Sequence, residues 1–467
     1  MAIDLTRREF IKELGKLGAA ASVMPMVAAG ESMQATANNE AFPMKRPGWV
    51  KEIDEPLVEV DWSKKERYNE RHTTRRGFGL YVEQDRIDQL NDLRDKFLDK
   101  TLKDNVPGYT LKDRAMDGAV DAGGVSRSFL LDPEEYNTPE DLGVPKWTGT
   151  PEDASQMVTA AMRHFGAATI GFVELDTNTT EKLIYSVDPD GKELHIKDVD
   201  EPEETEETRV IPKKARYAIV YTVQMSAETL MRAPTVLGSM TTGHTYRRSQ
   251  NIQARLQAFL GGLGYMGMAE ASTNALGISP ALAIYGGLGE LSRYNRLITP
   301  EYGPMVRVFK ALTDLPLAPT KPIDAGLWQF CHKCKKCADG CPGKALSFDD
   351  EPTWETRGGW NNPGHKAFFE DSVLCRFYQR TSTGTNCGLC FSVCPFARKN
   401  LASYTKVRSW IAASAPAFDG TLKSMDDLLY TPIPLEFGKP QKDPELWWKQ
   451  NLPDYGIDTV HTARFNS

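Results

Sequence analysis

Cys331-His332-Lys333-Cys334-Lys335-Lys336-Cys337-Ala338-Asp339-Gly340-Cys341-Pro342 spaces four cysteines as C-x2-C-x2-C-x3-C-P. A second run, Cys375, Cys387, Cys390 and Cys394 before Pro395, keeps the same ending but opens with an eleven-residue gap. These eight are all the cysteines of the 467-residue chain. The pattern is that of two 4Fe–4S clusters, each of which needs four converging thiolates. Three closely spaced cysteines on a tight loop cup three irons, so the fourth ligand comes from elsewhere. Zinc explains paired C-x2-C units but not two triplets that each trail into Cys-Pro. Disulfides fit an even count, yet cysteines three residues apart make poor staples.

In two-cluster ferredoxins the cysteine before proline crosses to the other cluster. Applied to this chain, Cys331, Cys334, Cys337 and Cys394 hold cluster 1, and Cys341, Cys375, Cys387 and Cys390 hold cluster 2. The wide gap between Cys375 and Cys387 reads as an inserted loop that shapes a neighbouring pocket. Such a pair of clusters moves single electrons, so the rest of the chain must use them.

Thr6-Arg7-Arg8-Glu9-Phe10-Ile11-Lys12 has the form of a twin-arginine export signal. A mildly apolar stretch of 14 residues, Leu17 to Gly30, is too short to span a bilayer. Ala35-Thr36-Ala37 then offers a small-residue cleavage site. Twin-arginine export carries folded proteins, which suits a chain whose clusters are built before it crosses. It also accounts for an exported protein whose cysteines are metal ligands. No other stretch reaches membrane-spanning length, so attachment to a membrane would come through a partner.

Removal of the signal leaves about 430 residues, enough for two or three domains. The net charge of −7 excludes a strongly basic nucleic-acid binder. Residues 38–150 are polar and weakly periodic and read as an extended N-terminal wrap with a few helices. A helix opens after Thr150, and residues 167–175 and 217–223 read as strands. Further expectations are a helix over 246–263, a strand over 265–270 and a helix over 279–291. The seven acidic residues within 198–207 read as a solvated loop. The class is α+β: an α/β layered core over 151–319, then a two-cluster ferredoxin-like module over 320–400. The tail, 401–467, carries Trp447-Trp448 and should pack back on the core.

Taken together, the twin-arginine leader, the middle α/β domain, the two cluster runs and the Trp-Trp tail resemble a respiratory reductive dehalogenase along essentially the whole chain. Thr241-Thr242-Gly243-His244-Thr245-Tyr246 resembles the stretch bearing the family's catalytic tyrosine. Thr273-Asn274-Ala275-Leu276-Gly277-Ile278-Ser279 resembles the one bearing its pocket asparagine. Ile298 to Arg307, ITPEYGPMVR, resembles the one bearing its active-site arginine. One departure is Asn295, where the family often has glycine. None of the seven histidines sits in an Asp-x-His-x-x-Gly sequence, consistent with a family that puts no protein histidine on cobalt.

The resemblance implies a nitroreductase-like core that holds a corrinoid. It implies two-electron, one-proton replacement of halogen by hydrogen at the corrinoid's cobalt, with electrons fed by the two clusters. Tyr246 is then the proton donor, since a phenol keeps its proton at neutral pH. Arg307 would stabilise the phenolate, and Asn274 would hydrogen-bond it or orient the substrate. The pocket should be apolar, with Tyr302 and Trp328 nearby in sequence. Implied partners are a small halogenated organic substrate, a small integral membrane anchor subunit and a membrane electron donor. A homodimer is compatible with the sequence, and no nucleic acid is implied. The place would be the outer face of the cytoplasmic membrane, peripherally held. Two alternatives share parts of this pattern: an epoxyqueuosine-reductase-like corrinoid enzyme acting on transfer RNA, and a non-catalytic iron–sulfur carrier. The roughly 280 residues between signal and first cluster run are too many for a carrier alone.

Overall fold

The computed structural model describes residues 46, 48–121, 125–397 and 439–457, with Ala412, Gly420 and Lys423. The twin-arginine segment and its cleavage site lie outside the described residues. Two helices, α1 (Gln84–Lys103) and α2 (Leu111–Asp121), supply the regular structure of the N-terminal wrap. Helix α3 (Pro151–Phe165) opens where its first turn dictates. Thr150 Oγ1 accepts from Asp153 N at 3.1 Å, and the Asp153 carboxylate accepts from Thr150 N at 3.4 Å. That reciprocal cap is worth about 1 kcal/mol.

Four strands form the central sheet: β1 (Thr169–Glu174), β2 (Tyr217–Gln224), β3 (Met268–Ala269) and β4 (Val306–Thr313). Their order is β1-β2-β4-β3, and every pairing is antiparallel. Alternate side chains serve opposite faces. Ile219, Tyr221, Val223, Phe309 and Ala311 pack with Ile170 and Phe172 against α3 and the long helix α4 (Val236–Gly262). Ala218, Val220, Val306 and Leu312 face the other way, toward α5 (Ser279–Tyr285). Each fully buried aromatic or aliphatic side chain here contributes roughly 1.5–3 kcal/mol. Helices thus cover both sheet faces, and the core is a mixed helix-and-sheet layered unit.

Helix α4 begins at Val236, ten residues before the expected start, so Tyr246 sits in its middle. The extra turns, Val236 to Thr242, are buried on all sides and carry no polar stripe to mark a helix. The expected helix over 279–291 stops at Tyr285. There Gly287 adopts φ +70°, and a Cβ at that position would meet Lys321 O at 2.2 Å. The strand expected over 265–270 contracts to Met268–Ala269. The acidic run is mostly exposed, yet Glu203–Glu204 pairs with the strand Thr208–Pro212. Glu204 Oε1 meets Arg209 at 2.8 Å, so this segment is tied inward rather than only solvated.

Beyond the sheet come α6 (Leu327–Cys334), α7 (Ser372–Tyr378) and four-residue helical turns at Lys336–Asp339 and Leu389–Ser392. Of the tail, residues 439–457 pack back on the rest of the chain. Trp447 Nε1 donates to Thr229 Oγ1 at 3.1 Å, and Trp448 Nε1 donates to Asp113 Oδ1 at 2.8 Å. Among the described residues no helix is long and apolar enough to cross a membrane.

Candidate active site and cluster relay

The geometry begins on α4 and β4. Tyr246 Oη donates to Asn274 Oδ1 at 3.1 Å. The Arg307 guanidinium lies 5.9 Å from the centre of the Tyr246 ring and 5.0 Å from that of Phe391. Its Nη2 donates to Thr242 Oγ1 at 3.1 Å. Burial pulls the Arg307 pKa down, and Arg296 and Arg75 add repulsion, while Tyr246 and Cys390 oppose them. Tyr246, Asn274 and Arg307, far apart in sequence, therefore converge on one place.

Two buried ionic networks hold this constellation, and neither carries a motif that sequence reasoning could find. Lys310, wholly buried on β4, donates to Glu270 Oε1 at 2.6 Å and Ser279 Oγ at 2.7 Å. The other Glu270 oxygen lies 3.4 Å from Arg127. Arg127 donates to the Tyr246 carbonyl at 3.3 Å and lies 5.2 Å from the centre of the Phe309 ring. That ring meets the Tyr246 ring edge-on at 5.6 Å. The second network supports the Asn274 loop. Asp188 accepts from Leu276 N at 2.8 Å and from Arg209 Nη1 at 2.9 Å. Asn274 and Leu276 both adopt φ +67°, and the left-handed region costs a leucine about 1–2 kcal/mol. The buried acceptor on Leu276 N offsets part of that strain.

The eight cysteines carry no disulfide. Among the described residues no group of three or more His, Cys, Asp or Glu is set to hold a single metal ion. The cysteines instead fall into two neighbourhoods. Cys331 feels Cys394 and Cys334, and Cys337 feels Cys331 and Cys334 most strongly. Cys390 feels Cys387 and Cys341, while Cys375 has Cys390 and Cys341 beside it. Burial pushes these thiols up, to about 12 for Cys334 and Cys387. Bare thiolates would be costly in such surroundings, and iron that takes them as thiolates offsets the cost. The residues fit two clusters, and Cys390 is the cysteine that acts on both Arg307 and Arg296.

A corrinoid also fits. Gly243, Tyr246, Arg247 and Gln250 form a partly exposed stripe on α4. Ala271 to Asn274, Asn295, Arg296, Arg307 and Val308 are likewise only partly covered. Around them Gln250 Oε1, Ser272 Oγ, Asn295 Oδ1 and Arg307 Nε are screened from water yet have no hydrogen-bond partner. Orphaned polar atoms of this kind call for a polar ligand. Tyr302 and Trp328, by contrast, do not line the pocket. Both are built into the apolar core, Trp328 against His332 and Phe368. A separate cavity of about 210 Å³ borders Leu175, Arg216 and Leu312, at the opposite end of the sheet from Arg307.

Comparison with known proteins agrees with this geometry. A family profile described as "Reductive dehalogenase subunit" matches residues 45–317, and one described as "4Fe-4S double cluster binding domain" matches 330–397. The chain belongs to the reductive dehalogenase family, a family of oxidoreductases, as a catalytic subunit. It is 30% identical to the tetrachloroethene reductive dehalogenase of Sulfurospirillum multivorans, over 98% of this chain and 96% of that one. It is 28% identical to the chloroethene reductive dehalogenase of Dehalococcoides mccartyi, over 71% of this chain and 67% of the relative. A solved catabolic reductive dehalogenase shares the fold with a TM-score of 0.57 at 20% identity. That match covers 82% of this chain but only 49% of the solved one, so the chain spans about half its length.

Proposed function

We propose that this protein is a corrinoid-dependent reductive dehalogenase that replaces halogen with hydrogen on a small halogenated organic substrate. The observation that carries the reading is the convergence of Tyr246, Asn274 and Arg307 beside Cys390. A corrinoid in the partly covered space supplies the two-electron chemistry that cleaves the carbon–halogen bond. Tyr246 delivers the proton from Oη. Arg307 stabilises the phenolate left behind, and Asn274 fixes the direction of the phenol. Arg127, Glu270 and Lys310 hold the Tyr246 backbone and ring from behind. Cys331, Cys334, Cys337 and Cys394 would hold cluster 1, and Cys341, Cys375, Cys387 and Cys390 would hold cluster 2, the two supplying single-electron transfer.

The same reading places a signal at 1–37, a wrap at 38–150, a nitroreductase-like core at 151–319, the cluster module at 320–400 and a tail at 401–467. Export by the twin-arginine route, a peripheral position on the outer face of the cytoplasmic membrane, an integral anchor subunit and a membrane electron donor belong to it. The epoxyqueuosine-type alternative is weaker, because likeness to a dehalogenase runs along the full chain. The test is halide release from a panel of chloroethenes, chloroalkanes and chloroaromatics by protein reconstituted with clusters and corrinoid. Halide release that a chemical electron donor drives and Tyr246→Phe removes supports the reading. A chain carrying both cofactors yet inert on the whole panel overturns it.

A further inference from the structure

The turn Ser292-Arg293-Tyr294-Asn295-Arg296 touches both cluster neighbourhoods at once. Arg293, 1% exposed, donates Nε to Cys331 O and Nη2 to His332 O, each at 2.9 Å. Its Nη1 donates to Ser347 O at 2.9 Å and Asp349 O at 2.8 Å, and the guanidinium lies 3.9 Å from the centre of the Phe368 ring. It thereby clamps the backbone that presents the first cysteines. Arg296 pairs with Glu370 at 2.8 Å and faces Cys390 and Cys375 of the other group. Asn295, at φ +53°, reverses the chain between the two arginines, as an asparagine can at modest cost.

Tyr294 lies between them and is 2% exposed. Its ring meets that of Phe391 at 5.2 Å with a tilt of 43°, and Phe391 lies beneath Arg307. Among the described residues its hydroxyl has no hydrogen-bond partner. Tyr294 packs in one buried apolar cluster with Cys334, Cys337 and Cys394, all three assigned above to cluster 1. A buried hydroxyl left without a partner costs about 1–3 kcal/mol, and phenylalanine would fill the same shape without that cost. A core tyrosine with a satisfied hydroxyl is the ordinary case, and no described residue satisfies this one.

We propose that Tyr294 Oη donates a hydrogen bond to a sulfur of the cluster held by Cys331, Cys334, Cys337 and Cys394, and so raises its reduction potential. Reduction adds negative charge to the cluster, and a donor at its sulfur stabilises that charge. Cluster 1 thus becomes the better electron acceptor of the relay. The inference rests on the two-cluster reading above and is independent of the corrinoid.

The test is an EPR-monitored redox titration of the full chain with reconstituted clusters, wild type against Tyr294→Phe. The expected result is a lower midpoint for cluster 1, about tenfold in the one-electron equilibrium or about 59 mV, with cluster 2 moving less. Unchanged potentials at full iron content overturn it. Should Tyr294→Phe lose iron, 3,5-difluorotyrosine placed at this position keeps the ring and strengthens the donor. Its expected effect is opposite in sign, a raised midpoint, and no change overturns the proposal. A wild type that binds no iron sinks the cluster reading itself, which is a different failure.

Discussion

The sheet and the cluster module are held by different physics. In β2 every residue from Ala218 to Gln224 is buried, and the strand pairs with β4 along its full length and with β1 from Tyr217 to Thr222. Residues 327–397 instead have helices of four to eight residues, and much of their burial surrounds the cysteines. The first region folds on apolar burial. The second encloses thiols that burial alone disfavours, so its stability must come largely from the iron they bind. The proposed active site lies at the seam, where Arg307 lies over the Tyr246 ring and over Phe391 of the second region.

The largest expected effect breaks only the second region. Cys334→Ser should lose cluster 1 and abolish electron delivery from external donors while amides of β2 and β4 stay protected from hydrogen exchange. Retention of both clusters with normal turnover would remove Cys334 from the ligand set. Next, Tyr246→Phe should cut turnover by about 10²–10⁴-fold with iron and cobalt content unchanged. Near-normal halide release would end the proton-donor assignment.

A change confined to the sheet side sharpens the contrast. Glu270→Gln leaves Lys310 and Arg127 as buried cations without their carboxylate, at a cost of about 3–5 kcal/mol. Denaturant unfolding should register that loss while the clusters' EPR signals in the folded protein stay as they were. A variant as stable as wild type would mean the network carries no weight.

The smallest effect belongs to the seam between the wrap and the loop before α7. His365 is pushed down to about 3 by burial and by Lys65, whose Nζ lies 3.5 Å from its Nδ1. Folded His365 stays neutral where the unfolded chain takes up a proton, so its contribution is complete above about pH 6.5 and is lost as pH falls toward 3. The slope is at most about 1.4 kcal/mol per pH unit. His365→Gln should flatten the acid limb of the stability curve, and an identical limb would place the acid sensitivity elsewhere.

The contrast also explains what could be read without coordinates. Cluster ligands are legible because metal chemistry dictates residue type and spacing, and β1 and β2 because their apolar runs are uninterrupted. Strand β4 went unread because Arg307 and Lys310 break its apolar run; Glu270 and Ser279 satisfy Lys310 from distant parts of the chain. The early turns of α4 were hidden by burial on every face. Glu204 looked like one more solvated acid until Arg209 gave it a partner. Tyr302 and Trp328, near the pocket residues in sequence but packed in the core, show that nearness in sequence does not say which side of a wall a ring occupies.

The most direct test is metal analysis of the reconstituted full chain alongside halide release. The account predicts about eight irons and one cobalt per chain, with halide released only when both are present. Iron at that level, with cobalt never stoichiometric and halide release undiminished, would contradict it.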